Sequence, residues 1–481
     1  MHTNTIAAIA TPTGNAGVGI IRLSGPQSLD IISKCFNHNS NTLTPRYATY
    51  GTLATPSVTD SVIVIYFPNP NSFTGEDVIE IHAHGGYFLL EKILEHLITL
   101  GATLASPGEF SKRAFLNGKL SLDQCEAIIE TIHAESETHL NATNRIYQGR
   151  LREKLFAMEK KLIECTAQII ATLDYPEHDI EDATSKQISQ TLREICKKLE
   201  ELIQTSCEGR LISSGIQIAV LGKPNVGKSS LFNAILERDR SIVTDIQGTT
   251  TDTISESILF KGMKLVFNDT AGIRDTEYRK RSCEQINGAS VINYGNLHNE
   301  ISEIEKLGIR RTEKVIANAD IVLAIFDSST PPTDEDKRIL ELTRNKTTLF
   351  ILNKSDLVTD KGQSKIWFDF IGKGSFIQTS AITGQNITKI KQIIHEMVID
   401  ETLGGKKLLS SEIVITNTRH VNELTLGYQS LTKALKMLPI LTLDCISIDI
   451  ETALNHIGNI TGTRASDAVI DEIFSRFCIG K

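Results

Sequence analysis

Four short peptides stand along this chain in the order that a guanine-nucleotide site requires. They are GKPNVGKS from Gly222 to Ser229, GTT from Gly248 to Thr250, DTAG from Asp269 to Gly272 and NKSD from Asn353 to Asp356. The first fits the phosphate-loop pattern, in which glycines let backbone N–H groups close around phosphate oxygens. Its lysine and hydroxyl, Lys228 and Ser229, then reach the outer phosphate and Mg²⁺. QIAVLG before the loop reads as a buried strand and SSLFNAIL after it as a helix opening, which aims the positive helix end at phosphate. KLVFNDTAG is a second apolar run ending in a carboxylate, Asp269, suited to holding Mg²⁺ through water, and Gly272 can give its N–H to the γ-phosphate. IVLAIFD and TTLFILNKSD supply two more strands, and the latter brings Asn353 and Asp356 to where a purine edge is read. A carboxylate accepting from N1–H and the 2-amino group selects guanine over adenine. Each peptide alone is an ordinary Gly- or Asp-containing turn, but the four in sequence imply a GTPase.

At 481 residues the chain is long enough for several domains. Its 50 basic and 58 acidic side chains give a net charge of −8, so no global basic field advertises nucleic acid and any RNA contact must be local. Eight cysteines occur without a C-x-x-C pair, which argues against zinc and disulfides and for reduced thiols. The first residues lack a basic segment followed by a long apolar one, and no run approaches a membrane span, so a cytoplasmic protein is expected.

Residues 1–118 alternate strand-like runs (Thr5 to Ala10, Val18 to Leu23, Ser61 to Phe67, Val78 to His84) with a helix near Phe88 to Leu100, an α/β domain. From Leu120 to Tyr175 there is no proline and one glycine, Gly149. Leu151, Leu155, Met158 and Leu162 repeat at helical spacing, so a long amphipathic helix is expected. Ile188, Leu192, Ile195, Leu199 and Leu202 continue the pattern, and helical spacing returns after residue 402 with Ile470, Ile473, Phe474 and Phe477. The expected fold is multidomain α/β. An N-terminal α/β domain precedes a helical domain split into 119–212 and 403–481, with a Ras-like nucleotide domain at 213–402 inserted between its halves. The polar segment 274–299 reads as a surface insertion within that domain.

TPTGNAGVGIIRLSG, FPNPNSFTGEDVIEIHAHGG, SPGEFSKRAFLNGKLSLDQCEAI, TDIQGTT, LDYPEHDIED and a terminal FCIGK closely resemble the MnmE (TrmE) family of tRNA-modification GTPases over nearly the whole chain. The resemblance implies a homodimer whose N-terminal domains bind a tetrahydrofolate carrying a one-carbon unit, as 5-formyl- or 5,10-methylene-tetrahydrofolate. With the flavoprotein MnmG it would place an aminomethyl-type group on C5 of the wobble uridine of tRNA. By motif match, Arg22, Glu80, Lys119 and Lys481 contact the folate, and Cys478 occupies the family's C-terminal cysteine position. The same match puts Asn225, Thr244, Ile246 (through its carbonyl) and Thr249 around K⁺, Ser229 and Thr250 on Mg²⁺, and Glu305 of EKLGI in the catalytic role. The GTP-contacting set is Asn225, Val226, Gly227, Lys228, Ser229 and Ser230, then Thr244, Asp245, Ile246, Gln247, Gly248, Thr249 and Thr250. Asp269, Thr270, Ala271 and Gly272 follow, with Asn353, Lys354, Asp356, Ser380 and Ala381 at the base. Two departures stand out: about two dozen residues are inserted between DTAG and EKLGI, and Thr251 follows GTT where the family has arginine.

GTP hydrolysis needs an in-line water and positive charge over the transition state. Ras-type GTPases carry glutamine directly after DxxG, whereas Ile273 stands here, so another group must order the water. Glu305 is that candidate, against the simpler reading of a solvated helix glutamate. No arginine finger is identifiable from spacing, and a monovalent cation beside the phosphate loop could supply the charge. His82 and His84 share a strand face, yet with no third ligand they read as satisfied or solvent-facing. The acidic run from Asp174 to Asp182 around Pro176 reads as a solvated break between helices. Two rival functions compete: a ribosome-assembly GTPase whose flanking domains bind RNA, and a one-carbon transferase with GTP as regulator. The first lacks a GXXG-type loop after the nucleotide domain and a basic tail.

Overall fold

Alternation of less and more buried positions, as from Thr59 to Val64 in Thr59–Phe67, builds a sheet with one face on a core and the other open. The computed structural model describes residues 4–37, 43–174, 181–237, 255–269, 312–358, 361–372, 376–402 and 411–480. They fall into two units. One comprises Met1–His133, Ala142–Gln204 and Thr418–Lys481; the other comprises Ala134–Asn141 and Thr205–Asn417.

In the first unit the strands are β1 (Ile6–Ile9), β2 (Ala16–Ser24), β3 (Phe36–Asn37), β4 (Thr49–Ala54), β5 (Thr59–Phe67), β6 (Val78–Gly85) and β7 (Thr103–Leu104). They form a seven-stranded sheet in the order β3-β4-β5-β6-β2-β1-β7, antiparallel except where β7 joins β1. Ile21, Leu23, Val62, Val64, Ile79 and Ile81 point to one face, where helix Tyr87–Thr99 covers them with Leu90, Ile93 and Leu97. The period of two therefore sends Arg22, Glu80 and His82 to the opposite face.

The expected single helix from Leu120 is instead three: Leu122–Ile132, Glu137–Tyr147 and Arg150–Asp174. Gly149 has φ +85°, which a right-handed helix cannot continue through. The Ser136 hydroxyl accepts from the His139 N–H at 3.1 Å and restarts the chain as a cap does. Helices Arg150–Asp174, Glu181–Gln204, Thr418–Met437 and Leu443–Thr461 form a bundle, each packed on two of the others. Leu151, Leu155, Met158 and Leu162 are buried in it, as are Ile188, Leu192, Ile195 and Leu199. Each contributes about 1.5–3 kcal/mol by leaving water. The chain leaves the bundle after Gln204 and returns at Thr418, so the second unit is an insertion between two of its helices.

The second unit holds β8 (Ile216–Leu221), β9 (Ser255–Phe260), β10 (Met263–Asp269), β11 (Ile321–Asp327), β12 (Thr348–Asn353) and β13 (Phe376–Gln378). Their order is β13-β12-β11-β8-β10-β9, parallel throughout except for the β9–β10 hairpin. Every residue of β11 is buried, because helices cover both faces. Lys228–Glu237 and Ile387–Met397 pack on one side with Leu231, Ile235, Ile390 and Ile394. Gly209, in helix Ser206–Ser214, meets the buried stretch 413–416 so closely that a methyl group there would lie 1.8 Å from the Ile415 carbonyl oxygen.

Candidate nucleotide site and N-terminal polar site

Parallel strands direct their carboxyl ends, and the loops that follow, to one edge of a sheet, where ligands of such folds bind. The loop after β8 carries Gly222 to Ser229, β10 ends at Asp269, and β12 ends at Asn353 ahead of a short turn, Ser355–Leu357. β13 ends just before Ser380 and Ala381. β8 lies between β10 and β11; the chain passes to one side of it through the β9–β10 hairpin and then crosses to the other through β11, β12 and β13, so the phosphate loop occupies the switch point of the sheet.

The loop is shaped by backbone that few residues adopt. Asn225 is left-handed at φ +66° and Gly227 has φ +91°. A Cβ on Gly227 would lie 2.4 Å from the Asn353 amide nitrogen, so glycine is needed for space as well as for conformation. Lys228 is buried and its ammonium donates to the carbonyls of Gly222 at 2.7 Å and Lys223 at 2.9 Å, bridging the mouth of the loop. Ser229 and Ser230 are exposed at the start of helix Lys228–Glu237, whose free N–H groups and positive end suit an anion.

Asn353 is held between two loops of the site. It is buried, donates to the Val226 carbonyl at 2.9 Å and accepts from the Ala381 N–H at 3.2 Å. Its carboxamide thereby joins the phosphate loop to the loops after β12 and β13, while Asp356 is exposed. Lys354 is left-handed at φ +62°, and its ammonium pairs with Asp327 at 2.6 Å. Burial pushes the Asp327 carboxyl up, but hydrogen bonds from Lys354 and Ser329 outweigh it and hold the group below the usual carboxylate range. The sequence reading missed Asp327, although an aspartate closing the fully apolar run IVLAIFD signals a polar group at the ligand edge of the sheet. Side chains of Asp269, and all of Thr244, Asp245, Ile246, Gln247, Gly248, Thr249, Thr250, Thr270, Ala271, Gly272 and Glu305, lie outside the described residues.

In the first unit, Arg22 and Glu80 are cross-strand partners on the face away from the core. Arg22 sends Nε at 3.0 Å and Nη2 at 2.8 Å to Glu80 Oε1, and its guanidinium lies 5.8 and 5.7 Å from the ring centres of Phe73 and Phe110. The C-terminal stretch arrives here too: the Gly480 carbonyl accepts from Arg22 at 3.4 Å, and Gly480 packs against Ile9. Lys119 donates to the Pro70 carbonyl at 3.0 Å. Lys481 lies outside the described residues, and Cys478 is exposed. His84 is exposed and bound through Nδ1 to Asp60 at 2.6 Å, whereas His82 Nε2 is enclosed without a hydrogen-bond partner among the described residues. Among the described residues no group of acidic, His and Cys side chains could hold a metal ion, and no helix is long and apolar enough to cross a membrane.

The family model for the GTP-binding protein TrmE N-terminus matches residues 5–119, and that for the MnmE helical domain matches residues 122–478. Among curated proteins, the tRNA modification GTPase MnmE of Acetivibrio thermocellus is 38% identical over 484 residues, covering 99% of each chain. The protein of the same description from Clostridioides difficile is 36% identical over 485 residues, again with 99% of each covered. A solved G domain of the T. maritima FeoB iron transporter is 22% identical over 38% of this chain and 98% of that one, with a TM-score of 0.25. With nucleotide-site peptides at one sheet edge, a helical domain interrupted by them, and relatives matched end to end, the chain is a GTP hydrolase and belongs to the MnmE (TrmE) family of tRNA modification GTPases.

Proposed function

We propose that this GTPase is activated by K⁺. In this reading it works as a cytoplasmic homodimer with the flavoprotein MnmG, building an aminomethyl-type group on C5 of the wobble uridine of tRNA from a tetrahydrofolate one-carbon unit. The observation that carries this reading is that one chain joins the N-terminal and helical domains of the family to a complete set of guanine-nucleotide peptides. The open face of the first sheet supports pairing with a second copy, since Val18, Tyr50 and Ile63 are 56%, 71% and 40% exposed on it.

In the nucleotide domain, taken as 213–402, the backbone N–H groups around Gly227 and the Lys228 ammonium hold the phosphates, and Asp356 selects guanine. Ser229 and Thr250 would hold Mg²⁺. Asn225, Thr244, the Ile246 carbonyl and Thr249 would hold K⁺. The exposed, left-handed Asn225 and its neutral oxygen suit a weakly hydrated monovalent ion. Held by these residues, the two cations would offset charge that develops on the phosphoryl oxygens. Glu305 orients the attacking water. Arg22, Glu80, Lys119 and Lys481 would hold the folate, which supplies the one-carbon unit. Glu80 Oε2, which takes no Arg22 donor, and His82 Nε2, 3.5 Å from it and without a hydrogen bond among the described residues, fit a ligand rich in N–H groups.

Hydrolysis in K⁺ is expected to run at least about tenfold faster than in Na⁺ at matched ionic strength, a fraction of the ~10³–10⁵ that an arginine finger provides. Glu305→Ala is expected to lower turnover roughly a hundredfold with GTP affinity little changed. Equal rates in the two salts would overturn the cation role.

A further inference from the structure

Glu80 and His82 lie two residues apart on β6 and leave the same face of the sheet. In register, Arg22 stands across from Glu80, while Ile20 of β2 and Ile63 of β5 stand across from His82. The two Arg22 donors that reach Glu80 both go to Oε1, which leaves Oε2 on the side of the imidazole. His82 Nε2 lies 3.5 Å from that oxygen, too far for a well-formed hydrogen bond, and it has no hydrogen-bond partner among the described residues. The two strand neighbours are apolar and cannot supply one. His84, next along the same face, is already bound to Asp60. Enclosed polar atoms are rarely left unmatched, and one set beside a half-used carboxylate on an open sheet face points to a ligand that completes both. The His82 side chain as a whole keeps 27% of its surface, so a ligand on this face can reach it.

We infer that His82 is a direct contact for the one-carbon carrier, reading a polar atom of the reduced pterin next to the N–H groups taken by Glu80. The inference rests on the proposed role of the Arg22–Glu80 pair in binding that carrier. A neutral imidazole nitrogen serves as donor or acceptor according to tautomer, so it adapts to a heteroaromatic edge where both kinds of atom alternate. Ile20 and Ile63 add apolar surface beside it.

Titration calorimetry of the full-length protein with 5-formyl-tetrahydrofolate tests this. His82→Ala is expected to weaken binding at least tenfold, and His82→Gln, whose amide also donates and accepts, to stay within about threefold of the native protein. Thermal unfolding and far-UV circular dichroism of both variants should match the native protein, which checks that they fold. Native affinity in His82→Ala, with binding abolished in Arg22→Ala, would overturn the inference and leave the site standing. Undiminished binding in Arg22→Ala and Glu80→Gln, or no binding to the native protein, would overturn the site and the inference with it.

Discussion

The carboxamide of Asn353 donates to the Val226 carbonyl across 127 residues of sequence, and the Ala381 N–H closes on its oxygen. One buried side chain thus sets the spacing between the phosphate loop and the loops that face the base. Asn353→Ala leaves a carbonyl and an N–H without their partner, at about 1–3 kcal/mol for each enclosed group. Thermal unfolding should show the loss in the absence of nucleotide. GTP and GDP affinity should fall together, because the whole frame loosens. Asn353→Asp, which sets a carboxylate against the Val226 carbonyl, should be worse than alanine.

Lys228→Ala and Asp356→Asn should fail in different ways. The first removes the ammonium that spans the loop mouth and should weaken every nucleoside triphosphate alike. The second removes only the acceptor for the guanine edge, so it should lose GTP and gain xanthosine triphosphate. Competition binding with both nucleotides separates the two, and absence of any xanthosine gain in Asp356→Asn would place the base elsewhere.

These outcomes reflect how unevenly the site was written in the sequence. The phosphate loop was legible because its glycines answer local demands: Gly227 must be glycine for its own φ and for the approach of Asn353. The role of Asn353 as a brace was not legible, since it depends on which strands become neighbours, and periodicity does not carry strand order. Strands β2, β5 and β6 are visible as runs rich in Val and Ile, while the short β3, β7 and β13 lack the length to show one. The helices after Leu120 were read as one because apolar spacing continues across their breaks. Only the left-handed Gly149 and the Ser136 cap mark where the chain turns.

Helix Leu122–Ile132 contributes a buried carboxylate, Glu126, that accepts from Arg419 Nε at 2.8 Å and lies 2.8 Å from His420 Nε2. Burial pushes its pKa up, but the charge of His420 and the hydrogen bonds of Arg419 and His420 bring it down from 4.5 to about 2. A depressed carboxyl stabilises the fold above its unfolded pKa and loses that effect as pH falls through the folded value. The contribution is about 3 kcal/mol at neutral pH. Glu126→Gln should therefore lower stability at pH 7, with the gap to the native protein closing between pH 4.5 and about 2 in denaturant titrations.

Asp123, one turn earlier on the helix, carries the opposite sign. Burial raises its pKa, only partly offset by the Ser121 hydroxyl and the charge of His420. Its neutral form supports the fold at low pH, and that support is lost as pH rises through the raised value. Asp123→Asn should accordingly gain stability relative to the native protein as pH increases from 4 to 7, the reverse of the trend for Glu126→Gln.

Mass analysis of wobble uridines in tRNA from cells lacking this protein tests the account most directly. The C5 modification should disappear, return with the native chain, and fail to return with Lys228→Ala or Arg22→Ala. Intact C5-modified uridine in the deletion strain would contradict the proposed function.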